Sequence, residues 1–158
     1  MTAIDDPEVL EAIKRLGEHF QTNVNNRYMR DILVRLDVSD SDWRSIERLT
    51  SPRQIDSVQG YGIEQLYDGI IALAHFVYSA QREVVPAIGN FIPHGASPIV
   101  KMAIKNFPPN LSSLSEMTYD LHKRVRGQDK GVPGQERPGG LTQRRFEELN
   151  RVEHYLGK

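Results

Sequence analysis

The sequence predicts an all-α protein on three observations. Helix-start signals recur along the chain, apolar residues recur at steps of three and four, and almost nothing alternates in the manner of a strand. Asp6-Pro7, Ser51-Pro52 and Ser97-Pro98 each place a capping side chain before a proline. The cap oxygen accepts an otherwise unpaired N–H at the helix start, and proline is tolerated at the first helical position because no N–H is needed there. Ser39-x-x-Asp42, Ser113-x-x-Glu116 and Ser51-x-x-Gln54 have capping-box spacing, and Thr142 is a weaker start. The expected architecture is a single helical bundle of about five to six helices with a tethered C-terminal amphipathic helix.

Val9, Leu10, Ile13, Leu16, Phe20, Val24, Tyr28, Ile32, Leu33 and Leu36 give residues 7–36 one apolar face. Thr22, Asn23, Asn25 and Asn26 are poor helix formers, so a break or kink is expected there. A short helix follows Ser39, with Trp43, Ile46 and Leu49 on one side. Ser51-Pro52 starts another turn or two, which Gly60-Tyr61-Gly62 ends. From Ile63 to about Val85, Leu66, Ile70, Leu73, Phe76, Val77 and Ala80 make a helix apolar nearly all round at its centre, which marks the middle of the bundle.

Residues 84–100 carry no formal charge, and Pro86, Gly89, Pro93 and Gly95 forbid a continuous helix, so a structured apolar loop is expected. A helix from Pro98 to about Asn106 is expected to stop at Phe107-Pro108-Pro109, with the next running from about Leu114 to Arg126. Lys123, Arg124 and Arg126 lie in its last turn, where cations favour the negative end of the helix dipole. Residues 127–140 contain five glycines and two prolines in 14 positions, the composition of a flexible tether. The expected organisation is a bundle domain over 1–126, a linker over 127–140 and an amphipathic helix over 141–158.

Composition narrows the function. At 158 residues the chain suits one domain with a core of its own. The net charge of −1 divides into 14 acids and 9 bases before residue 100 and 7 acids and 11 bases after it, far from the field of a typical nucleic-acid binder. The absence of cysteine removes disulfides, thiolate catalysis and cysteine-held metals, and fits a reducing cytoplasm. The first residues lack the pattern of a signal peptide, and Gly69–Ala80 is about half of a membrane span. A soluble cytoplasmic protein is expected.

Catalytic motifs are missing. There is no P-loop, no His-Glu-x-x-His, no Gly-x-Ser-x-Gly and no Glu-x-x-His pair. Glu64, Asp68, His75 and Arg82 fall roughly on one face of the central helix. However, about 10 Å along the axis separates Asp68 from His75, too far for one ion without help from another helix. A solvated stripe with Asp68, His75 and Arg82 loosely paired is the expected reading, with His75 structural. His94 lies near Ser97, but Ser97 is already accounted for as a cap and no nearby acid orients His94. Lys101, Lys105, Lys123, Arg124 and Arg126 would make a basic face if their helices packed side by side, as would Arg27, Tyr28, Arg30 and Arg35.

The terminal helix is the most informative functional feature, because a helix of that length is marginal alone in water and must dock. Its stripe of Phe146, Leu149, Val152 and Leu156, together with Ile88, Phe91 and Ile92 in the charge-free stretch, is expected to bind a partner, with closure of the chain's own core as the alternative for the helix. No catalytic residue, cofactor or metal site is expected. The function read from sequence is a non-enzymatic helical protein–protein interaction or adaptor module that self-associates as a homodimer. Two rivals stay open: a nucleic-acid-associated protein using the basic helices between Lys101 and Arg126, and an enzyme or metal protein using Glu64, Asp68 and His75.

Overall fold

Asp6 sets the first helix, its carboxylate accepting the Glu8 N–H at 2.8 Å with Pro7 in the first turn. Helix α1 (Pro7–His19) buries Val9, Ala12, Ile13 and Leu16. The computed structural model describes residues 6–51, 63–128 and 143–158; some side chains at the helix ends, Glu64, Phe146 and Leu149 among them, lie outside that description. Ser51-Pro52 as a helix start, the Gly60-Tyr61-Gly62 stop, residues 129–140 of the linker and the Thr142 cap also fall outside it. The described residues are helices and their connections, with no strand among them, and none of these helices is long and apolar enough to cross a membrane.

The break expected among the asparagines is a single turn of π-helix, Phe20–Val24, closed by the Asn25 N–H on the Phe20 carbonyl at 2.7 Å. Asn26 then turns the chain, its side-chain oxygen accepting the N–H groups of Tyr28 and Met29 at 2.9 and 3.2 Å. A one-turn helix α2 (Arg30–Leu33) follows. The π-turn is pinned to the first turn of the helix Phe107–Gln128, far away in sequence. His19 Nε2 meets the Asn110 carbonyl at 2.8 Å, His19 Nδ1 meets Asn23 Nδ2 at 3.2 Å, and Asn110 Nδ2 donates to the Asn23 carbonyl at 3.2 Å. A carbonyl oxygen can only accept and an amide NH2 can only donate, so the ring donates from Nε2 and accepts at Nδ1.

Ser39 starts α3 (Asp40–Thr50) by accepting the Asp42 N–H at 3.1 Å. Helix α4 (Ile63–Glu83) is the centre, as its all-round apolar character predicts, and α3, α6 and α7 all pack against it. Gly69 lets α3 approach, since a Cβ there would sit 2.8 Å from Leu49 Cβ. Phe76 receives the edges of Phe20 and Trp43, each with centroids at 5.6 Å.

The charge-free stretch forms 3₁₀ turns over Val85–Phe91, kinked at Ala87, before Ser97 caps α5 (Pro98–Lys105) by accepting the Val100 N–H at 3.4 Å. One expectation is corrected here. Phe107-Pro108-Pro109 does not separate two helices by a gap. It is the first turn of α6 (Phe107–Gln128), so Ser113 lies inside the helix and caps nothing. The reason is that the first N–H groups of a helix have no intrahelical partner, so two prolines in the first turn cost no hydrogen bond.

Helix α7 (Gln143–Tyr155) ends in a Schellman motif, with the Lys158 N–H on the Glu153 carbonyl at 2.8 Å and Gly157 at φ 72°. It lies along α4. Val152 is fully buried and Leu156 nearly so, both within the same chain.

Candidate functional site

On the central helix, His75 meets partners from other helices while Arg82 stays with a neighbour on its own. His75 Nδ1 lies 3.7 Å from Asp42 Oδ2 on α3, and its ring packs tilted against Tyr155 of α7 with centroids at 5.4 Å. The expected loose pairing with Asp68 and Arg82 is replaced, because α3 brings a carboxylate to His75 from across the groove. Arg82 instead donates to the Tyr78 hydroxyl and lies over that ring at 5.1 Å. Asp42, Asp68, His75, Arg151 and Tyr155 line a cleft of about 430 Å³ between α3, α4 and α7. Among the described residues no three His, Asp or Glu side chains converge closely enough to hold a metal ion. Sequence reasoning missed Asp42, Arg151 and Tyr155. Asp42 drew notice only as the last residue of the Ser39-x-x-Asp42 capping box.

His94 is exposed in its turn, and the Ser97 oxygen is occupied by the Val100 N–H. The basic residues do not form one face of free cations. Arg124 is bonded to Asp120 at 2.7 Å and to Glu8 at 3.3 Å, and the Asp120 hydrogen bond raises its affinity for its proton. Lys123 lies over the Tyr119 ring at 4.7 Å. Arg27 likewise lies over Tyr28, and its guanidinium donates to that hydroxyl at 2.6 Å.

Two apolar surfaces were expected to bind a partner, and they are placed differently. On α7, Val152 and Leu156 are buried against the chain's own helices. Tyr155 packs tilted against Tyr78 with ring centroids at 5.2 Å, and Lys158 Nζ reaches Glu116 Oε1 on α6 at 2.7 Å, sealing the edge. The side chains of Phe146 and Leu149 lie outside the described ones. In the charge-free stretch, Ile88, Phe91 and Ile92 are half-buried against the core.

Beside them stands a pair that sequence reasoning did not single out. Ile99 is 68% exposed and Met102 is 64% exposed, one turn apart on α5. Val100 and Ile104 take the inward side of the same short helix, so Ile99 and Met102 stand on its exposed side together with Lys101 and Lys105. The sequence signal was present, since no acid occurs between Glu83 and Glu116 and Lys101 and Lys105 are the only formal charges there.

His122 on α6 is a separate anomaly. It is 1% exposed, and neither ring nitrogen has a hydrogen-bond partner among the described residues. Burial, with a smaller contribution from the Arg126 charge, lowers its pKa from 6.5 to about 4, so the ring is neutral near pH 7. Compared with family models, curated proteins and solved structures, the chain matches none of them.

Proposed function

We propose that this chain is a non-enzymatic helical interaction module that self-associates through the outward face of α5 and the 3₁₀ turns before it. The observation that carries the reading is the pair Ile99 and Met102, held in water at 68% and 64% exposure beside half-buried Ile88, Phe91 and Ile92. A cluster of that kind gains by being covered, at about 25 cal/mol for each Å² of apolar surface removed from water. A second copy is a chemically suitable cover. In a two-fold contact the same charge-free patch meets itself, so no carboxylate and no formal charge from residues 84–100 is buried unpaired. Lys101 and Lys105 remain at the rim, where water screens them.

The α7 stripe takes no part in this reading, because its described residues are used inside the chain. Sedimentation equilibrium over a wide concentration range tests the proposal. The native sequence is expected to be a dimer at micromolar concentration, and Ile99→Asp with Met102→Asp a monomer with an unchanged helical spectrum. A native chain that stays monomeric at high concentration, or a double variant that still dimerises, would overturn it.

A further inference from the structure

We infer that the cleft between the π-turn, α2 and α3 is a binding site for a methylated ammonium ion. The inference does not depend on the self-association described above. The cleft has a volume of about 660 Å³, within the range of small-molecule sites. Its α3 wall is built by Asp40, Trp43 and Glu47, spaced at i, i+3 and i+7 so that they share one helix face. The indole is held in place by its edge-to-face contact with Phe76, and it lines the cleft between the two carboxylates.

Val34, a large aliphatic side chain 68% exposed, lines the same cleft at the end of α2. The π-turn is tied to α3 beside the cleft, where Gln21 Nε2 donates to Thr50 Oγ1 at 3.3 Å, and Thr50 is itself fixed by donating to the Ile46 carbonyl of the same helix at 2.8 Å.

An aromatic ring between two carboxylates, in a cleft that an aliphatic side chain also lines, matches one ligand chemistry. A methylated ammonium spreads its positive charge over methyl groups, which the indole face attracts and the valine packs against. The carboxylates supply counter-charge, and neither is in an ion pair among the described residues. A hard divalent cation would want several oxygens converging on one point, and the described residues provide no such group. An anion would face both acids. Arg30 also lines the cleft, with its Nε on the Asn25 carbonyl at 3.4 Å, and against two carboxylates it leaves the site net negative.

Trp43 is the only tryptophan in the chain, so its fluorescence reports on this cleft alone. The full chain is titrated with tetramethylammonium chloride at low ionic strength, with sodium chloride at the same concentrations as the reference. A saturable change with tetramethylammonium and none with sodium is expected. Glu47→Gln and Asp40→Asn are each expected to weaken binding roughly threefold, and Arg30→Ala to tighten it by about as much, since exposed charge pairs are of that size. Should Asp40→Asn disturb the start of α3, Glu47→Gln carries the test, because that residue is exposed and lies inside the helix. Identical responses to the two salts, an affinity indifferent to Glu47→Gln, or a weakening by Arg30→Ala would overturn the assignment.

Discussion

Helices α5 and α7 are both amphipathic, and they end up on opposite sides of the same problem. The described stripe of α7 is closed: Val152 and Leu156 are buried against the chain's own helices, Tyr155 lies between His75 and Tyr78, and Lys158 anchors to Glu116. Helix α5 is open: it buries Ile104 and leaves Ile99 and Met102 in water. The difference does not come from how apolar each stripe is. It comes from the edges. Helix α7 reaches aromatic and charged groups on α4 and α6 that seal its flanks, whereas α5 carries apolar side chains on two sides and has neighbours on only one. An amphipathic pattern therefore says that a helix must be covered. It does not say which copy of the chain supplies the cover.

The comparison breaks most severely on the closed side. Val152→Asp puts a carboxylate into a fully buried site on α7, and a loss of about 3–4 kcal/mol is expected in denaturant unfolding, or release of α7 if its docking is worth less. Acid acts on α6 through His122. Its pKa falls from 6.5 to about 4 on folding, so in that window the unfolded chain binds the proton and the folded chain does not. Stability is complete above about pH 6.5 and declines as the pH drops toward 4, by about 3 kcal/mol in total. His122→Leu should flatten that slope, which denaturant midpoints at pH 7 and pH 4.5 will measure.

A smaller loss, about 2 kcal/mol, is expected for Gly69→Ala, because the new methyl meets Leu49 Cβ and α3 must move away from α4. Thermal melting checks it. On the open side, Ile99→Ala and Met102→Ala should each change the stability of the dilute monomer by no more than about 0.5 kcal/mol. Their effect should appear in association instead.

Much of the fold was legible because it is written in local chemistry. Asp6, Ser39 and Ser97 cap the helices their positions foretold, and Asn23, Asn25 and Asn26 mark a real break in the first apolar run. Phe107-Pro108-Pro109 misled because two prolines read equally well as the end of one helix or the first turn of the next. The sites were far less legible. Asp42 reaches His75 only because α3 crosses α4 there, and the Trp43 cleft needs the π-turn, α2 and α3 to assemble before Val34 and Arg30 line it together with the indole. No spacing within one segment encodes either. Nor does the pattern of α5 reveal that Ile99 and Met102, rather than Val100 and Ile104, are the pair left outside.

The absence of cysteine allows the central comparison to be measured directly. Ile99→Cys and Val152→Cys each introduce a single thiol, and the rate of maleimide labelling is followed as protein concentration rises. Cys at 99 should react rapidly in dilute solution and become protected as the chain associates, while Cys at 152 should be protected to the same degree throughout. A thiol at 99 whose rate is independent of concentration, or a thiol at 152 protected only when the protein is concentrated, would show that the two helices have been assigned each other's roles.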